Sequence, residues 1–370
     1  MMTPILYVGI SQSLFAGIFI ASKKEQNFAD KLLAALLFLI AIDMGLTLIK
    51  KEFNVLMDIP PVLPLAFAPM VFLYTKGLIN KHSKFNLISL LHFIPFTAFF
   101  IATMALIDQP LLPDKDFFEV NQYLPYRIVY GVTFFSLSTV YVIIAFITVF
   151  RHQKNIKNFF SYTSEKLTLS WLKVLLFSFL TAYIFLYASG LWYLIENKSF
   201  YLENINPLEF SYIGLTFFSF AAGFFGYKQS EIYKDFDNTP DKPKYLTSSL
   251  SPENAQSYIN KLLALMQKDK PYLNEKLTIS DLAEKLKIQR HHLTQIINEN
   301  LGKNFYTFVN EYRLEEVKKM MADEKKKNYT ILAIAYECGF NSKSTFNTLF
   351  KNQTGLTPSD YKKKLLNTKD

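Results

Sequence analysis

The side chains with the most chemistry to offer stand in two short clusters near the C-terminus. Arg290, His291, Thr294, Gln295 and Asn298 follow helical spacing, and so do Ser342, Lys343, Ser344, Asn347 and Lys351. Their types suit hydrogen bonding and charge rather than bond making. Arg290 or Lys343 can pair with guanine, and Gln295 or Asn347 with adenine. Each can equally contact a phosphate, which positions a protein without reading sequence. No phosphate loop, kinase signature, acyl-transfer triad or His-Glu-x-x-His run occurs, so the chain calls for no catalysis. Histidines at 82, 92, 152, 291 and 292 lack metal-ligand spacing, and neither a metal nor a cofactor is expected.

Short helices must carry these clusters. In Thr330–Tyr361, Ile331, Ile334 and Ala335 form one apolar face. Gly339 then stops the helix, because glycine tolerates the left-handed conformation there. Ser342 caps the next helix, whose inner face is Phe346, Leu349 and Phe350. Two short helices crossing through a tight turn make a helix-turn-helix, which sets its second helix in the DNA major groove. A similar unit precedes it. There Ser280 is expected to cap a helix bearing Leu282, Ala283 and Leu286, with a turn at Lys287-Ile288. Leu293, Ile296 and Ile297 then face inward, which turns the first cluster outward. Phe305–Met321 would join the two units as one helix.

The second unit also resembles the AraC/XylS transcription regulators. The resemblance rests on Ala335, Gly339-Phe340, Ser342, Ser344, Phe346, Phe350-Lys351, Gly355, Thr357-Pro358 and Tyr361. Tyr312-Arg313-Leu314 matches the family's connecting helix, and the similarity extends over about residues 271–364. It implies two recognition helices in successive major grooves on one face of double-stranded DNA, about 34 Å apart. It also implies a promoter target, RNA polymerase as a partner, and scope for a homodimer. Three positions depart from the family. Thr348 and Lys362 stand where it usually has Arg, and Gln289 where it usually has a Ser cap. Phosphate affinity would then lean on Lys351, Lys362, Lys363 and Lys364.

Charge agrees with a polyanion partner. Of the net +9, residues 239–370 supply +7 (22 basic against 15 acidic) and residues 1–238 only +2 (18 against 16). The single cysteine, Cys338, excludes an intramolecular disulfide and is expected as a small core residue.

The first part of the chain has a different solvent. Apolar stretches run roughly Pro4–Ala21, Leu32–Ile49, Ile59–Ile79, Phe85–Ile107, Ile128–Phe150, Leu169–Ile195 and Leu208–Tyr227. Each approaches the ~20 residues that a helix needs to cross a hydrocarbon core. They lack the polar faces of soluble amphipathic helices. Loops 22–31, 76–84 and 151–168 carry ten Lys and Arg, and the alternate loops carry five. The positive-inside rule therefore puts the N-terminus outside and the C-terminus in the bacterial cytoplasm, across the inner membrane. DNA binding requires the same orientation.

Asp43, His92 and Lys173 are the notable polar residues within these spans. An ionisable group at membrane depth is costly unless paired, which makes Asp43 and His92 candidates for sensing a signal. A buried pairing that only fixes helix packing would explain them equally well. Lys173 lies near a span end, where it can snorkel. Loop 108–127 mixes Asp108, Asp114, Asp116 and Glu119 with aromatics. It reads either as a solvated loop with interfacial aromatics or as a site for a cationic or amphipathic signal.

The expected fold is all-α. A seven-helix transmembrane sensor (1–228) is followed by a linker (229–250) rich in Pro, Thr and Ser. A small all-α domain with two helix-turn-helix units joined by a long helix then fills 251–370, with its core at 271–364. Ser251-Pro252 would start an amphipathic helix bearing Tyr258, Ile259, Leu262, Leu265 and Met266. Function follows as a membrane-bound one-component transcription regulator under control of an unknown signal ligand. Two alternatives stay open: a membrane enzyme or transporter with a regulatory DNA-binding tail, and a regulator released by proteolysis.

Overall fold

The computed structural model describes residues 2–53, 62–79, 86–107, 124–196, 207–228 and 252–367. The linker, Ser251 and the acidic part of loop 108–127 lie outside them. The described residues form helices and turns with no strand, and one isolated antiparallel bridge pairs Phe160 with Thr278. Two compact units result. One comprises Met1–Arg151 and Leu169–Asp235, the other His152–Thr168 and Phe236–Asp370.

The first unit holds α1 (Met2–Ala21), α2 (Phe28–Phe53), α3 (Pro64–Ile79) and α4 (Ile94–Ile107). It continues with most of α5 (Leu124–Ile156), then α7 (Ser170–Glu196) and α8 (Pro207–Lys228). A 3-10 helix, Leu87–Phe93, runs into α4 just before Pro95, so the fourth apolar stretch is not one regular helix. Six described helical segments are long and apolar enough to cross a membrane, and α3 is a shorter apolar helix of 16 residues. α5 runs 33 residues, several beyond the expected end at Phe150.

Small residues and hydroxyls bring these helices close together. Gly214 of α8 leaves no room for a Cβ against Ala182 of α7. The Ser13 and Ser219 hydroxyls meet at 2.8 Å between α1 and α8, fully buried. Thr47 of α2 and Tyr212 of α8 meet at 2.9 Å. Outward faces stay apolar, with Phe15, Ile18, Val132 and Phe177 all exposed. Such faces suit lipid better than water. Beside the α1–α2 turn, Lys23 pairs with buried Asp30 at 2.7 Å and donates to the Gly226 carbonyl. Lys23 is therefore not a free loop charge, as the orientation count treats it.

The second unit contains a short α6 (Glu165–Thr168), then α9 (Pro252–Lys268), α10 (Ile279–Leu286) and α11 (Arg290–Gln295). α11 loosens into a π turn, Ile296–Asn300. α12 (Phe305–Ala322), α13 (Ile331–Glu337), α14 (Lys343–Thr354) and α15 (Pro358–Asn367) complete it. Two apolar cores form. Leu262, Met266, Leu282, Leu293, Ile296, Ile297 and Phe305 fill the first, and Val317, Ile334, Ala335, Cys338, Phe346 and Phe350 the second. α12 contributes to both, so one rigid helix sets the two helix pairs against each other.

Candidate nucleic-acid interface

Each helix pair is built by local signals. Thr330 caps α13 by accepting from Ala333 N at 3.1 Å, and the chain turns at Gly339 with φ 89°. A Cβ at Gly339 would press on the Tyr272 carbonyl and the Arg313 Nε, so both conformation and space demand glycine. Ser342 then caps α14, accepting from Thr345 N at 3.4 Å. In the first pair the cap is Thr278, not Ser280. Its hydroxyl accepts from Asp281 N, while Asp281 accepts from Thr278 N in return. The acid three residues after Thr278 closes a capping box that Ser280 has no partner to form. Lys287 ends α10 in the left-handed region, and Gln289 makes no side-chain cap for α11.

The two second helices present different surfaces. On α14, Lys343, Asn347 and Lys351 recur every fourth residue and are exposed, as is Ser344, while Phe346 and Phe350 point into the core. Ser342 is half-buried and occupied as the cap. On α11, Arg290, His291 and Gln295 are half-buried, as is Asn298 in the π turn that follows. Gln295 donates to Glu299 at 2.9 Å. Thr294 departs from expectation: it is 2% exposed and its hydroxyl donates to the Arg290 carbonyl at 3.0 Å. Inward Leu293 and Ile296 flank it, and the backbone bond satisfies its hydroxyl within the helix. Thr294 is therefore part of the packing and not of an outward reading face.

The basic tail is also partly committed. Lys362 donates to the carbonyls of Lys327 and Tyr329 at 3.4 and 3.2 Å, tying α15 to the turn before α13. Lys363 and Lys364 are exposed. Cys338 is buried, and burial pushes its thiol up to about 12, consistent with an inert core residue. Burial lowers the His292 imidazole, helped by the charge of neighbouring His291.

Sequence reasoning missed what Arg313 does. This residue of α12 is 1% exposed and lies among backbone acceptors. Its Nε donates to the Tyr272 carbonyl at 2.7 Å, Nη1 to the Ser161 carbonyl at 2.8 Å, and Nη2 to the Asn274 carbonyl at 2.7 Å and the Ser161 hydroxyl at 3.0 Å. Burial lowers the guanidinium to about 10, which leaves it charged at neutral pH. Nearby, Glu316 takes Lys270 at 2.6 Å and the Tyr272 hydroxyl at 3.1 Å. Burial raises the Glu316 carboxyl, but these two donors and the Lys270 charge outweigh it, leaving the group below its ordinary value.

In the first unit, Asp43 is buried on α2 one turn before Thr47. His92 lies in the 3-10 turn, half-buried, with its Nδ1 2.8 Å from the Tyr141 hydroxyl. Lys173 sits over the Phe150 ring at 4.7 Å. No group of three metal-ligating side chains occurs among the described residues.

Comparison with known proteins finds similarity in the C-terminal region. A family described as "Helix-turn-helix domain" matches residues 282–364. The melibiose operon regulatory protein of Escherichia coli (strain K12) is 27% identical over 110 residues, which is 30% of this chain and 34% of that protein. An uncharacterized HTH-type transcriptional regulator of Staphylococcus aureus (strain COL) is 34% identical over 91 residues, 25% of this chain and 12% of that one. A counterpart from strain MSSA476 gives the same values. The match thus spans about a third of the first relative and about an eighth of the other two. No solved structure matches the chain.

Proposed function

We propose that this chain, whose residues 282–364 are an AraC-type helix-turn-helix domain, is a membrane-bound one-component transcription regulator. α11 and α14 would enter successive major grooves of promoter DNA, with α12 fixing their separation. The N-terminal helices would hold the protein in the bilayer, N-terminus outside, and sense a signal through groups such as Asp43 and His92. RNA polymerase and a second copy of the chain are the further partners in this reading. The observation that carries it is the exposed row of Lys343, Asn347 and Lys351 on α14, opposite a phenylalanine core. The outward apolar faces of the N-terminal helices support the membrane location.

The test uses the full chain in lipid nanodiscs, with binding sites selected from a randomised DNA pool. Lys351→Ala should weaken every selected sequence alike and reduce the salt dependence by about one phosphate contact. Asn347→Ala should relax preference at one base pair, at a cost of ~1–3 kcal/mol if its amide pairs with a base edge. Failure of the wild-type protein to enrich any sequence, or to bind at low salt, would refute the proposal.

A further inference from the structure

The segment after α5 belongs to the DNA-binding unit by its contacts. Phe159 accepts from Ile279 N at 2.9 Å, and Ser161 N donates to the Leu277 carbonyl at 3.2 Å, around the Phe160–Thr278 bridge. The Lys157 carbonyl accepts from Tyr306 N at 2.9 Å. Ile279 and Tyr306 lie in the first turns of α10 and α12, whose N–H groups have no partner within their own helices. The segment thus caps two helices of the reading domain. Ser161 adds its carbonyl to Asn310 Nδ2 at 3.0 Å, beside its two bonds from Arg313. The Phe159 ring packs on the first core, with the Arg290 guanidinium 5.6 Å from its centre. A base-reading candidate is held by this ring.

Both ends of the segment are closed on each other and continue into apolar helices. His152 Nε2 lies 3.1 Å from the Leu167 carbonyl, and Gln153 donates to the Thr168 carbonyl at 2.8 Å. Ile156 ends α5, while Leu169, with φ 50°, makes a sharp turn into α7. A change in the spacing of α5 and α7 would pull on Lys157–Tyr162.

We propose that Lys157–Tyr162 is an inhibitory latch: it occupies the first helix pair and holds Arg290 off the DNA until α5 and α7 move. The inference rests on the DNA-binding reading above. It assigns signal transfer to this segment and not to the 229–250 linker.

The test measures DNA affinity of the full chain in nanodiscs without an inducing signal. Phe159→Ala should tighten binding by about 2- to 30-fold, the range that a cation–π contact of about 0.5–2 kcal/mol would hold back. Phe159→Leu keeps the apolar bulk and removes the ring, so it should also tighten binding and decides the matter if the alanine variant does not fold. Adding Arg290→Ala should erase the gain. Unchanged or weaker binding by Phe159→Leu, with native hydrogen-exchange protection in α10 and α12, overturns the latch while leaving DNA binding intact. Absence of binding by wild type and variants alike overturns the DNA-binding reading, and the latch with it.

Discussion

Replacing Arg313 with methionine tests the internal logic of the reading domain. Methionine fills similar space but abandons the carbonyls of Tyr272, Asn274 and Ser161 and the Ser161 hydroxyl. Each buried acceptor left unmade costs ~1–3 kcal/mol, and the four are not additive because they share one site. Removing one partner of a buried charged network typically costs ~3–5 kcal/mol, which we take as the expected loss. Small domains hold only ~5–15 kcal/mol in total, so a substantial share of the margin would go. Both tryptophans, Trp171 and Trp192, lie in the N-terminal part, so fluorescence would report the wrong unit. Hydrogen exchange resolved to peptides of α10 and α12 reports the right one. At about 1.4 kcal/mol per tenfold, protection there should fall by roughly two to three and a half orders of magnitude. Arg313→Lys keeps the charge but not the planar fork, and should lose about half as much. A change below tenfold in both variants would show that the guanidinium is dispensable and refute the argument from buried acceptors.

Two further outcomes are expected. Gly339→Ala forces a side chain into φ 89° against the Tyr272 carbonyl, so it should cost at least ~1–2 kcal/mol and lower the melting temperature of the second unit. Glu316 sits below its ordinary value of 4.5, so the unfolded chain takes its proton first as pH falls. Its contribution is therefore complete above about pH 4.5 and drains away as pH drops through the folded value. Glu316→Gln should flatten that part of the stability–pH curve and leave the rest unchanged.

The helix pairs were legible because their determinants are local. Gly339, the Ser342 cap and the Phe346/Phe350 spacing each act within one or two turns, and the structure forms them as read. Thr278 was within reach too, since its acid partner stands three residues on; the hydroxyl of Ser280 drew the cap two residues too late. Thr294 was not legible from an outward count, because the loosening of α11 at Ile296 and the backbone bond of its hydroxyl are set by packing. Arg313 could be noted as a match but not given its job. Its partner Ser161 lies 152 positions away, and no periodicity carries information over that distance. The same holds for Lys23, whose charge counts toward orientation in the sequence but is held by Asp30 in the fold.

On the membrane-bound reading proposed above, the capping of α10 and α12 by Phe159 and Lys157 bears on how the DNA-binding domain could be detached. A protease cutting between 229 and 250 would free a fragment that has left part of its own scaffold behind. The fragment would have to shed Lys157–Tyr162, exposing the starts of two helices and the acceptor-facing side of Arg313, or remain noncovalently clasped to the stump. Severing the chain is then not the same as liberating the domain. Cleaved material should still sediment with membranes until the clasp itself is opened.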